Sequence, residues 1–119
     1  MNLLNRKMQF EYFDDTDTLS LSIRDGEVET TEDMLHNLLI DYGGDCCTVL
    51  HLEILNARHT LYDCDPSKFQ YRWEANGRHV FDLTSSAAIE GSDTIKTEEH
   101  PNVEIRHRDG KWTAIVVRD

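Results

Sequence analysis

The sequence predicts a mainly β protein, all-β or α+β with at most one or two short helices. Three observations lead there. Apolar residues recur mostly at period two rather than at helical spacing. Clusters of Asp, Asn and Gly interrupt these runs at fairly regular intervals. Hydrophobic content is 39% in a chain of 119 residues, and a chain of that length buries roughly two-thirds of its unfolded surface, enough for a real core. Runs and turns together read as successive hairpins, an antiparallel meander that forms a curved sheet or a small barrel.

The elements follow in order. Met8, Phe10 and Tyr12 alternate with Gln9 and Glu11, and residues 18–23 resume the period with Leu19, Leu21 and Ile23 against Thr18, Ser20 and Ser22. Asp14-Asp15-Thr16-Asp17 between them reads as a turn, because short carboxylates bond nearby backbone N–H groups. Asp25-Gly26 closes the second strand. Residues 31–40 admit two readings. Thr31 before Glu32 and Asp33 resembles a helix N-cap with acids in its first turn, Met34, Leu35, Leu38 and Leu39 have helical spacing, and Gly43-Gly44 would end such a helix. Alternatively, residues 37–42 and 46–55 are the arms of a hairpin, with Leu50, Leu52 and Ile54 on one face and His51 and Glu53 on the other. Strand is favoured for residues 38–42.

These residues resemble a known family. Tyr12-x-x-Asp15-x-Asp17-x-Leu19, then Leu39-Ile40-Asp41-Tyr42, then Leu50-x-Leu52-Glu53-Ile54-Leu55-Asn56-Ala57 is similar to the bacterial domain of unknown function 2283 over about residues 8–58. Glu53-Ile54-Leu55-x-Ala57 is the most specific piece. Ser20 stands where the family carries an aromatic, and His51 where it carries Gly. The resemblance implies a β-rich fold, no established activity, turn positions for Asp15 and Asp17, and an association with small toxin-like proteins.

The second half lies outside that resemblance. Phe69, Tyr71 and Trp73 alternate with Gln70, Arg72 and Glu74, and Asn76-Gly77 is the strongest short hairpin signal because both residues tolerate positive φ. Residues 78–84 return with His79, Phe81 and Leu83 on one face. Residues 85–100 read as the longest loop, with a helical turn at 87–90. Residues 103–107 and 111–117 flank Arg108-Asp109-Gly110 as a last hairpin, with Trp112, Ala114 and Val116 on one face. No Pro-, Gly- or Ser-rich linker divides the chain. The expectation is one domain over 1–119, a family-like hairpin pair at 8–58 joined to a second pair at 66–119.

Charge is lopsided. Residues 1–65 carry 14 acids against 4 bases, net −10, and residues 66–119 carry 9 against 8, net −1, which together make the chain's −11. Such a field repels nucleic acid and anionic membranes and attracts basic surfaces. No run of about 18 apolar residues exists to cross a membrane as a helix, and residues 1–8 lack the apolar core of a signal peptide. A cytoplasmic location is expected. Cys46, Cys47 and Cys64 lack metal-ligand spacing and fit reduced thiols.

Chemistry-bearing constellations are sparse. The aspartates at 14–17 lack the Gly and distal Glu of a calcium loop. His51 and Glu53 share a strand face and would suit a metal-dependent enzyme, but no third ligand can be named. His59 and Cys64 with Asp63 and Asp65 read as a surface loop. No Gly-x-Ser-x-Gly elbow and no phosphate loop is present. Lys68, Arg72 and Arg78 lie among Phe69, Tyr71 and Trp73, a pattern that stacks bases in some proteins, but the alternation assigns these aromatics to the core. No catalytic residue, cofactor or metal is expected.

What remains is the acidic run Glu27, Glu29, Glu32 and Asp33. It suggests a small non-catalytic protein, antitoxin- or immunity-like, that covers a basic protein partner such as a nucleic-acid-acting toxin, whose groove must be positive. Direct nucleic-acid binding is not expected. The alternatives are a mobile-element inhibitor that mimics nucleic acid against a host defence complex, and the metal-dependent enzyme built on His51 and Glu53. Open sheet edges make a homodimer conceivable.

Overall fold

Alternating apolar residues and tight turns produce ten antiparallel strands in a computed structural model that describes residues 9–44 and 48–118. The strands are β1 (Phe10–Phe13), β2 (Thr18–Ser22), β3 (Thr30–Met34), β4 (Leu38–Tyr42), β5 (Val49–Ile54), β6 (Gln70–Glu74), β7 (Arg78–Asp82), β8 (Asp93–Lys96), β9 (Val103–Arg108) and β10 (Lys111–Arg118). Two one-turn helices, α1 (Ala57–Thr60) and α2 (Ser86–Ile89), and a 3-10 turn (Pro66–Lys68) complete the described chain. The mainly β expectation holds. The strands form two open five-stranded sheets and no closed barrel, in the orders β1-β2-β5-β4-β3 and β6-β7-β10-β9-β8. Neither order is a plain meander, because the last strand of each sheet inserts between its second and fourth. The two orders are the same topology used twice.

The chain divides into two compact units, Met1–Ala57 and Arg58–Asp119. In the first, Leu19, Leu21, Met34, Leu38, Ile40, Tyr42, Leu50, Leu52 and Ile54 are buried, all on one side of the pleat as the alternation requires. Residues 31–40, open between helix and strand, form the β3–β4 hairpin, with Met34 opposite Leu38. Its three-residue turn holds Leu35 at φ 58° and His36 at φ 67°. The turn at residues 14–17 is confirmed: Asp17 has φ 54°, accepts a 2.7 Å hydrogen bond from the Tyr12 hydroxyl, and its carbonyl accepts the Ala57 N–H. Met8, Asp45, Cys46 and Cys47 lie outside the described residues.

In the second unit β10 is central, and every residue from Trp112 to Val117 is buried. The β9–β10 register shifts at Thr113, so that Trp112 faces His107 while Ala114 faces Arg106. Neighbours on a strand point to opposite sides, so the bulge removes Trp112 from the face of Ala114 and Val116, where the alternation had placed it. Two further expectations are corrected. The loop at 85–100 contains, besides the expected helical turn at α2, the strand β8. Trp73 is 57% exposed, because β6 is an edge strand, hydrogen-bonded only to β7. Phe69 and Tyr71 are half-buried, the Tyr71 ring lying 5.1 Å from Phe81. Among the described residues no helix is long and apolar enough to cross a membrane.

Candidate functional site: the acidic face of the first sheet

The residues that alternate with the core of the first sheet form its open face. Register builds two rows across it. Glu11 lies opposite Ser20, Ser20 opposite Glu53, Glu53 opposite Leu39 and Leu39 opposite Asp33. One pleat away, Ser22 lies opposite His51, His51 opposite Asp41 and Asp41 opposite Thr31. Glu11 and Asp33 are exposed, and Asp41, His51 and Glu53 are half-buried. Glu11, Glu53 and Asp33 stand two strands apart in turn, about 10 Å each at normal strand spacing. That is slightly beyond the Debye length of about 8 Å at physiological salt, so their mutual field is strongly screened there and grows as salt is lowered.

One of the four acids is held in place. Asp41 accepts a 2.6 Å hydrogen bond from the Thr31 hydroxyl and lies 3.6 Å from His51 Nδ1. Among the described residues of this sheet His51, when protonated, is the one cation of this face: residues 9–57 contain one Lys or Arg, Arg24, which belongs to the segment between β2 and β3. Among the described residues no three His, Cys, Asp or Glu converge, so none of these joins His51 and Glu53 as a third ligand. What the described residues present on this face is chiefly fixed negative charge.

The four acids expected to bind a partner are split by the fold. Glu27 and Glu29 sit in the exposed segment 23–29 that carries the chain from β2 past β5 and β4 to the far edge. There they line a depression of about 420 Å³ with Arg24, Asp25, Gly43 and Leu50. Its shape is set by backbone bonds from Ile23 N–H to the Leu50 carbonyl and from Gly43 N–H to the Thr48 carbonyl. Glu32 and Asp33, adjacent on the edge strand β3, point to opposite sides of the sheet; Asp33 alone joins the acidic face. Sequence reasoning did not place Glu11, Asp41 or Glu53 in the binding surface, and weighed Glu53 only as a partner of His51. Their signal was present as the outward half of each alternation, opposite Phe10 and Tyr12, Ile40 and Tyr42, and Leu52 and Ile54, but only the cross-strand register puts them on one surface.

The second sheet also has a polar face, and its acids are neutralised. Asp82 meets Arg72 at 3.3 Å, Glu74 meets Arg72 at 3.0 Å and Arg78 at 3.3 Å, and Glu104 meets Arg118 at 2.5 Å and Lys96 at 3.4 Å. The Arg72 guanidinium is held above its ordinary pKa chiefly by its hydrogen bond to Asp82.

Residues 9–58 match a family described as "Protein of unknown function (DUF2283)", which covers the first sheet and leaves the second outside. No curated protein and no solved structure matches the chain.

Proposed function

We propose that the sheet matching this family of unknown function is a non-catalytic binding surface, antitoxin- or immunity-like, that covers a basic patch on a protein partner. One observation supports it above all: the polar faces of the two sheets are treated differently. Glu74, Asp82 and Glu104 each have a basic partner in the second sheet, whereas Glu11, Asp33 and Glu53 of the first have none among the described residues. Unpaired like charges on one sheet face repel and cost stability. A basic surface docked on them would relieve that repulsion and be steered toward them. Glu27 and Glu29 extend the negative field past the sheet edge, and Glu32 adds to it from the other side. A partner with a phosphate-binding groove is the natural class, since such a groove presents cations at comparable intervals.

The test begins with complexes purified from the source organism. For the basic protein recovered, the association rate is measured against ionic strength with the wild type and with a Glu53→Gln/Asp33→Asn variant. Steering predicts a rate that falls steeply with salt and a variant slower by about threefold or more at low salt. A merely solubilising surface has the same composition but leaves the rate indifferent to both changes, and that outcome, or recovery of no basic partner, rejects the proposal.

A further inference from the structure

The polar face of the second sheet contains one charge that its network leaves out. Register lays Gln70, Asp82, Ala114, Arg106 and Thr94 in one row across all five strands. Asp82 is paired with Arg72. Arg106 lies two strands from Asp82, about 10 Å at normal spacing, with only the Ala114 methyl between them. Arg72, Arg78, Arg118 and Lys96 on the same face all meet carboxylates, and Arg108 donates to the Ala87 carbonyl. Among the described residues Arg106 has no such partner, although it is half-buried.

A cavity of about 360 Å³ opens at this gap, lined by Arg72, Asp82, Arg106 and Thr94 from the sheet and by Ser86 and residues 89–92 from α2 and the turn after it. Its size falls in the range of small-molecule sites. The turn is anchored: the Ser92 hydroxyl is 2.8 Å from that of Thr113 and donates to the Ala88 carbonyl. Glu90 also lines the cavity. Among the described residues it makes no ion pair with a basic side chain, Arg106 included. The walls therefore offer one unpaired cation and one unpaired anion, more than 4 Å apart. With Arg72 and Asp82 paired to each other, a ligand bearing one negative and one positive group can engage Arg106 and Glu90 together, whereas a singly charged one engages only one of them.

We propose that this cavity binds a small zwitterionic molecule of the amino-acid class, its carboxylate on the Arg106 guanidinium and its ammonium on Glu90. Arg106 supplies the planar fork that suits a carboxylate, and the hydroxyls of Ser86 and Thr94 flank it as neutral donors.

The test is a titration of the isotopically labelled full chain, followed through its backbone amide resonances. The probes are glycine, β-alanine, γ-aminobutyrate and 5-aminopentanoate, with acetate and propylammonium as single-ended controls. The zwitterions are expected to shift the amides of Gly91, Ser92, Thr94 and Arg106, with the tightest binding at one chain length, set by the gap between the two charges. Arg106→Gln and Glu90→Gln should each weaken that ligand about tenfold or more, as the loss of a charge-assisted contact does, and in Glu90→Gln acetate should bind as well as the zwitterion. If acetate alone matches the zwitterions on the wild type, if neither variant changes their affinity, or if none of the probes shifts these amides at tens of millimolar, the proposal is wrong. Glu90 is exposed beyond the end of α2, so Glu90→Gln keeps the test decisive even if Arg106→Gln disturbs the sheet.

Discussion

Leu35 and His36 occupy left-handed backbone at the β3–β4 turn, a conformation that costs a non-glycine residue roughly 1 kcal/mol. Asn and Gly tolerate that conformation at the least cost. Replacing Leu35→Asn and His36→Gly together should therefore raise stability by about 1–2 kcal/mol, read as a higher urea midpoint at unchanged slope. The same two residues explain why 31–40 looked helical: Leu35 fits the apolar spacing of a helix, and nothing in its side chain announces positive φ. At Asp65 the chemistry is set by residues close in sequence. Its carboxylate accepts the Ser67 hydroxyl at 2.7 Å and the Ser67 N–H at 3.1 Å, and these bonds, the hydroxyl first, hold its pKa below the usual 3.8. A depressed carboxylate contributes stability above its unfolded pKa and loses it as pH falls through the folded value. Ser67→Ala should move the Asp65 titration back toward 3.8, measured by carboxyl carbon resonances. Trp73 marks the limit of residue-level reading, since an alternating aromatic run is identical in sequence whether its strand is central or at an edge.

Among the elements, burial and partners decide what a change costs. Glu104 is 5% exposed and pairs with Arg118 and Lys96. Both partners reach water, so Glu104→Ala should cost about 1–3 kcal/mol, short of the penalty for stranding a fully buried charge. Ile115 on the central strand β10 is fully buried, and Ile115→Ala should cost about 2–5 kcal/mol through lost contact and the cavity left behind. Both are measured by urea unfolding. Strand β8 escaped the sequence reading because Asp93-Thr94-Ile95-Lys96 offers one apolar residue, and an exposed edge strand needs no more. The bulge at Thr113 escaped it because period-two counting cannot register an inserted residue whose neighbours are all apolar.

For the whole molecule, the charge of −11 is carried unevenly, and the first sheet holds its share on a structured face rather than a tail. Screening should therefore stabilise the fold: urea unfolding at neutral pH is expected to show higher stability as salt rises from about 0.02 to 0.5 M, where the Debye length shrinks from about 20 Å to about 4 Å. Glu53→Gln should give part of that gain at low salt and none at high salt. The sequence by itself determined the β class, most strand positions, the hairpin turns and the charge asymmetry, because alternation and turn chemistry are written in neighbouring residues. Only the tertiary structure decided that β5 and β10 insert into the middle of their sheets and that the second sheet repeats the topology of the first. It alone put Glu11, Asp41 and Glu53 on one face with Asp33 while turning Glu32 away, and left Arg106 across a gap from Asp82. Each of these depends on which distant strands pair and in what register, and a single residue's slip in that register would move every side chain to the opposite face.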